Sequence, residues 1–231
     1  MTLADLQILI GSLTNDPNHD RYTTTDIGVE LDNSQDAWNV EAKIIKSTTT
    51  ITTVGGTRLY AFSNISGTVI AIGRATHKGI PLTKRDKAYL DLYYGGTDWT
   101  QDQGTPTEFY VDVTDPANQF VVVYKTPQSS DAGANLVIES IIRHTPMSAL
   151  TDVPFMSGTS SNTTLRPYDW GLAYEASARL LARDPSNIND TKSLNYASIA
   201  ANVRTNIVQV FKALEEQEPP KLDMPMRWRR R

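Results

Sequence analysis

A chain of 231 residues with 39% hydrophobic side chains is long enough to bury a sizeable core, in one large domain or two small ones. Its formal charge of -4 and pI near 5.4 exclude a general nucleic-acid binder, which carries a basic balance or a strong basic face. With no cysteine, disulfide scaffolds, zinc ribbons and thiol catalysis are excluded, and no window approaches the roughly 18 apolar residues of a membrane span.

The N-terminus, Met1-Thr2-Leu3-Ala4-Asp5, lacks a basic stretch followed by a long apolar core, so a soluble protein made in a cytoplasm is expected. The N-x-[ST] triplets at Asn64, Asn162 and Asn189 are then chance matches. Leu3, Leu6, Ile10 and Leu13 recur on one face, which predicts a short helix over 2–13. A loop of turn-forming residues follows, through Asn15-Asp16-Pro17-Asn18-His19-Asp20. Thr24, Thr25 and Asp26 offer caps for a longer helix whose stripe is Ile27, Leu31, Trp38, Ala42 and Ile45. Asp32, Asn33, Gln35, Asp36, Asn39 and Glu41 fill much of the remaining surface, and Trp38 anchors the apolar face.

After Lys46 the period changes to two. The β-branched run 47–54 and the run 57–62 are separated by Gly55-Gly56, which predicts a tight hairpin. A further strand is expected over 67–76, and 83–94 reads as a short helix with strand as the competing assignment. Strands follow at 108–114, 119–124 and 135–144, the first two joined by the turn Asp115-Pro116-Ala117-Asn118. The stretch 145–165, rich in Pro, Ser, Thr and Gly, leads back to helices.

Arg166-Pro167 announces the first of these, since proline is tolerated where a helix begins. Tyr168, Leu172, Ala176, Arg179 and Leu180 form its stripe, and Asp184-Pro185 ends it. The next, over 188–216, carries Leu194, Ala197, Ala200, Val203, Ile207, Val210, Phe211 and Leu214 at three/four spacing. Beyond Glu218-Pro219-Pro220 periodicity ceases, and the chain ends Met226-Arg227-Trp228-Arg229-Arg230-Arg231. Arg and Trp are residue types that anchor interfaces, so this end is expected to dock on a partner, with a solvated terminus as the bland alternative.

The order of elements predicts an α+β fold: a helical bundle formed by N- and C-terminal helices, with a β-rich insertion between helices 2 and 3. Residues 1–46 and 165–217 make the discontinuous bundle, 47–146 the inserted domain, 147–164 a linker and 218–231 an Arg-rich docking arm.

The search for chemistry returns bland readings. His19, His77 and His144 lie in or beside loops without metal-ligand spacing. Asp98 and Asp102, or Asp112 and Asp115, pair carboxylates where aspartate ordinarily caps turns. Gly55-Gly56 and Gly95-Gly96 lack the Lys-Ser/Thr ending of a phosphate loop, and no histidine-based constellation accompanies Ser157-Gly158-Thr159-Ser160-Ser161. No catalytic residue, metal or cofactor is expected.

Several stretches together resemble the head-to-tail adaptor (connector, or neck) proteins of tailed bacteriophages, in the version with a β-rich insertion in a helical bundle. These are Leu31 to Trp38, Gly67 to Arg74 leading to Leu82, Leu90-Asp91, Trp99 and Gly104 to Tyr110. Val121 to Pro127, Leu136 to Ile142, Pro146, Pro154 and the Ala/Leu helix Leu165 to Asp184 complete the likeness, which spans about Thr23 to Phe211. The resemblance implies a structural virion protein of the neck, synthesised in the host cytoplasm, with no chemistry to transfer. It implies a homo-oligomeric ring of about twelve subunits closing by head-to-tail contacts. The implied partners are the portal protein, tail or tail-hub/nozzle proteins, other copies of the chain, and double-stranded DNA passing through the lumen; no membrane is involved. Leu31, Trp38, Leu172, Leu180 and Phe211 are then candidates for subunit core or lateral contact, and Met226, Arg227, Trp228, Arg229, Arg230 and Arg231 for portal docking, with DNA as the arm's alternative target. Two competing readings remain: another virion component, of tail tube or capsid, and a carbohydrate-binding β domain using Tyr60, Tyr93, Tyr94, Trp99, Phe109 and Tyr110.

Overall fold

A computed structural model describes residues 1–94, 99–115, 117–158, 160–183 and 190–217. Residues 95–98, which include Gly95-Gly96 and Asp98, the Asp184-Pro185 helix stop and the arm 218–231 lie outside the described residues. The fold is mixed α+β, with five α-helices and two four-stranded sheets among the described residues. The chain divides into two compact units, one of Met1–Ala42 with Pro146–Arg231 and one of Lys43–Thr145.

In the first unit, α1 (Leu3–Thr14) opens with a capping box in which the Thr2 and Asp5 side chains each receive the other residue's backbone N–H. Helix α2 (Thr24–Ala42) ends where Lys43 takes a left-handed backbone (φ 51°), so the unit boundary falls ahead of the expected residue 46. Its stripe Ile27, Leu31, Trp38 and Ala42 is buried. Gln35 and Asn39, assigned by sequence to the polar surface, are buried with it. The angular reason is plain: 27, 31, 34, 35, 38, 39 and 42 lie on one helical face. The Gln35 carbonyl is also used there, accepting the Phe155 N–H at 2.7 Å.

The stretch expected to be a linker is folded onto this unit. The N–H groups of Leu3 and Ala4 donate to the carbonyls of Asp152 and Leu150, and Phe155 is buried, stacked on Trp38 with ring centroids 6.3 Å apart. Pro167 lies within a 3-10 turn, Thr163–Tyr168, that leads into α4 (Asp169–Arg183). Helix α4 packs against α1, α2 and α5 (Asp190–Gln217), and Leu172, Ala173, Ala176, Ser177, Leu180 and Leu181 are all buried. A single apolar stripe was expected there, but contact with three helices buries α4 around much of its circumference. On α5, Ala200, Val203 and Ile207 are buried, whereas Leu194 and Leu214 from the expected stripe are exposed. At 1.5 Å per residue α5 is about 42 Å long and α4 about 22 Å, so α4 can cover only about half of α5.

In the second unit, β1 (Lys46–Thr52), β8 (Asn135–Ile142), β3 (Val69–His77) and β4 (Ile80–Pro81) form one sheet in that order. The other sheet has the order β2 (Leu59–Ala61), β7 (Phe120–Tyr124), β6 (Glu108–Asp112) and β5 (Thr83–Lys84). The expected Gly55-Gly56 hairpin does not form: β1 pairs with β8 and β2 with β7, in different sheets. Gly56 does adopt the positive φ of 78° that its turn signal implied, but its N–H donates to the Pro127 carbonyl, carrying the chain across from one sheet to the other.

The two sheets enclose a core of Ile72, Ala75, Leu136 and Ile138 from the first and Tyr60, Phe109, Val121 and Val123 from the second. Alternation along β7 sends Val122 and Tyr124 to the opposite face, where they pack with Tyr110, Trp99 and Leu90 of α3 (Lys87–Tyr93). The stretch 83–94 therefore divides into a short strand and a helix, settling its two competing assignments between them.

At the end of β3, His77 is 1% exposed and neither ring nitrogen has a hydrogen-bond partner. Burial holds this imidazole below its ordinary 6.5, with Lys78 lowering it further and Asp131 opposing. The unfolded chain takes up a proton near 6.5 and the folded one resists it, so stability is full above that pH and is lost as pH falls from 6.5 towards the depressed folded value. Thermal melts are expected to show a falling melting temperature below pH 6.5, with a smaller fall in His77→Leu. A wild-type profile as flat as the variant's would refute the buried neutral imidazole.

Candidate functional site

The residues singled out by sequence for subunit core or lateral contact converge in the first unit. Leu31, Trp38, Leu172 and Leu180 are buried there, and Phe211, towards the end of α5, is half-buried. As interior groups, the first four fill the core; Phe211 retains accessible surface. Met226, Arg227, Trp228, Arg229, Arg230 and Arg231 lie outside the described residues.

Trp38 is held from two sides. Its Nε1–H donates to Glu175 Oε2, and Phe155 stacks on the ring. Glu175 also accepts from Arg179 Nη2 at 2.7 Å and pairs with Arg204 Nη1 at 3.7 Å, while Arg204 Nε reaches Glu41 Oε2 at 2.8 Å. A carboxylate that is almost fully buried thus has an indole donor on one oxygen and two guanidinium groups on the other. This network joins α2, α4 and α5, and Arg204 and Glu175 were not found by sequence because each reads as an ordinary polar residue on a helix.

Between α4 and α5 runs an open groove of about 280 Å³, with Ala178, Ala182, Ala197 and Ala201 in its lining and Arg179 and Arg204 beside them. The small side chains on the first half of α5 face α4 and leave a shallow recess.

Of the aspartates weighed for chemistry, Asp98 lies outside the described residues, and Asp102, Asp112 and Asp115 accept hydrogen bonds. Asp112 accepts from the N–H and hydroxyl of Thr114, and Asp115 from Ala117 N–H and the Asn118 amide; these bonds hold both carboxyls below their ordinary range. Asp102 accepts from the Tyr124 hydroxyl at 3.0 Å, and burial together with this bond pushes the phenol up to about 12, so it remains a donor. Asp131 accepts from Lys78 Nζ at 2.6 Å and from Thr105 Oγ1, and the lysine holds its carboxyl down against burial. Among the described residues no three His, Cys, Asp or Glu are grouped to hold a metal ion. Tyr60, Trp99, Phe109 and Tyr110, considered for sugar stacking, are buried in the second unit, whereas Tyr93 is 70% exposed.

The chain belongs to the SU10 adaptor protein family, whose family model matches residues 1–212, and it is a phage adaptor-type protein. No curated protein matches it. Among the described residues no helix is long and apolar enough to cross a membrane.

The sharpest steric constraint in the first unit is at Gly171. A Cβ there would lie 2.7 Å from Trp38 Cη2 and 2.7 Å from Val203 Cγ1, both on side chains with little freedom to retreat. Overpacking costs about 1–3 kcal/mol, against a gain of up to about 1 kcal/mol in helix propensity. Gly171→Ala is expected to lower the urea midpoint of the first unit's unfolding, a net loss of about 1–2 kcal/mol; an unchanged or higher midpoint would show that α4 can move aside.

Proposed function

We propose that this chain is a head-to-tail adaptor of the virion neck, assembling as a ring that joins the portal to the tail and extends the DNA channel. The observation that carries the reading is family membership over residues 1–212, which brings the adaptor role. The helices of the first unit are, on this proposal, the bundle that builds the ring, and the second unit is its inserted contact domain. The chain acts as a structural protein and not as an enzyme.

Exposed apolar side chains support the reading. Val29 and Leu150 flank an open recess of about 380 Å³ in the first unit, while Leu194 and Leu214 extend from the ends of α5. In the second unit, Leu92 and Tyr93 project from α3, 87% and 70% exposed. Heterologous contacts of the kind that close a ring need two different patches on each subunit, and these side chains supply apolar anchors for them. The arm from Met226 to Arg231 is assigned to the portal, because arginine and tryptophan provide fork-shaped hydrogen bonding and a large apolar surface at an interface.

Light scattering coupled to size-exclusion chromatography, with the protein alone and mixed with purified portal, tests the assembly. The expected outcome is a portal complex holding about twelve adaptor copies. Failure to bind portal under any loading would overturn the reading and favour another virion position. Deleting 226–231 should abolish the complex while leaving the circular dichroism unchanged; undiminished attachment would remove the arm from the interface.

A further inference from the structure

In the second unit, a polar pocket of about 210 Å³ lies between the Gly55-Gly56 turn and the segment following Trp99. Gly56, Arg58, Thr100, Gln101, Gln103 and Thr126 line it. Among the described residues Arg58 is its sole charged side chain, and two observations set this arginine apart. Its Nη1 is shielded from solvent without a hydrogen-bond acceptor, and no carboxylate among the described residues pairs with it. Its guanidinium carbon stands over the Trp99 ring, 5.3 Å from the centroid, which orients the planar group.

The walls are built by main-chain bonding. The Arg58 carbonyl accepts the Val123 N–H at 3.0 Å, and the Gly56 N–H reaches the Pro127 carbonyl at 2.8 Å. On the opposite side Gly104 N–H donates to Thr126, and Thr126 N–H to Asp102, each at 2.9 Å. Trp99 is itself fixed by its Nε1–H on Asp91 Oδ1 at 2.7 Å. The pocket therefore holds a half-buried cation, oriented by Trp99, in a framework that does not depend on a ligand for its shape.

We propose that this pocket binds the side-chain carboxylate of an acidic protein segment, with the Arg58 fork as its principal contact. A half-buried guanidinium with no anionic partner leaves its charge uncompensated, and a carboxylate matches its planar geometry with charge-assisted, parallel hydrogen bonds. The glutamine amides and threonine hydroxyls offer donors and acceptors together, which suits the peptide groups flanking an acidic residue. A nucleic-acid backbone presents acceptors alone and requires several cations to hold it, and the pocket has one. The inference is independent of the neck assignment, because it rests on the second unit's own geometry.

The test uses ¹⁵N-edited NMR of the full chain, titrated with N-acetyl-aspartate N-methylamide, its asparagine analogue and inorganic phosphate. The aspartate compound is expected to shift the Arg58 Nε–H and the Gln101 and Gln103 side-chain amides saturably, with Kd on the order of 10 mM. The asparagine analogue should leave them unmoved, and Arg58→Gln should weaken binding at least about tenfold. Arg58→Lys, which keeps the charge and aliphatic stem but loses the fork, should weaken it too and carries the comparison if Arg58→Gln does not fold. No saturation with the aspartate compound, equal saturation by phosphate, or binding retained in both variants would each overturn the proposal.

Discussion

Everything in the helical unit is arranged around a place where a side chain is missing. At Gly171 the backbone of α4 comes so close to the indole of Trp38 and the isopropyl group of Val203 that a single methyl has no room. That closeness fixes α2 and α5 on α4 at once, and the rest follows from desolvation. Once Trp38 is buried its N–H must find an acceptor, and Glu175 provides it; once Glu175 is buried its charge must be matched, and Arg179 and Arg204 match it. The close approach at one glycine is thereby tied to the buried polar cluster of Trp38, Glu175, Arg179 and Arg204. Phe155 closes the same assembly from the non-helical stretch, its N–H held by Gln35 and its ring against Trp38.

The second unit solves its burial problem by strand alternation. In β7 successive residues face two different cores: Val121 and Val123 meet the other sheet, Val122 and Tyr124 meet α3 and Trp99. A strand buried on both faces has no polar side for sequence periodicity to reveal, which explains the continuous apolar run from Phe120 to Tyr124. The loops joining the sheets then carry the polar work. Asp131 ties the 129–131 turn to Lys78 and Thr105, and the Gly56 turn is tied to Pro127.

The sequence was most readable where a local signal determined local structure. The spacing of Ile27, Leu31 and Trp38 located the buried face of α2, and the β-branched run after Lys46 located β1. Partners were harder to read than elements. Gly55-Gly56 announced a turn but could not announce that Thr50 would pair with Val137 and Tyr60 with Val121, because those choices are made by residues far along the chain. Gln35 and Asn39 were misplaced because polarity outweighed angular position when the helix face was assigned. Of the candidate site, four buried residues were legible as apolar periodicity. Glu175, Arg204 and Arg58 were not, since an ionisable residue becomes informative only when its burial and its neighbours are known.

The distribution of exposed apolar residues bears on how an adaptor ring of the proposed kind must form. Burying one such side chain yields about 1.5–3 kcal/mol, whereas bringing two proteins together costs about 4–15 kcal/mol in lost freedom alone. A contact made by two such side chains alone, Val29 with Leu150 or Leu92 with Tyr93, would be too weak to bind subunits tightly in free solution. On a surface that already presents docking sites in a circle, each lateral contact becomes intramolecular, at an effective concentration that reaches the millimolar range for short connections. Weak contacts then suffice, and closing the ring adds one further contact without further loss of translational freedom. Small apolar contacts of this kind are thus suited to assembly on a template, with the template deciding where and when the proposed ring closes.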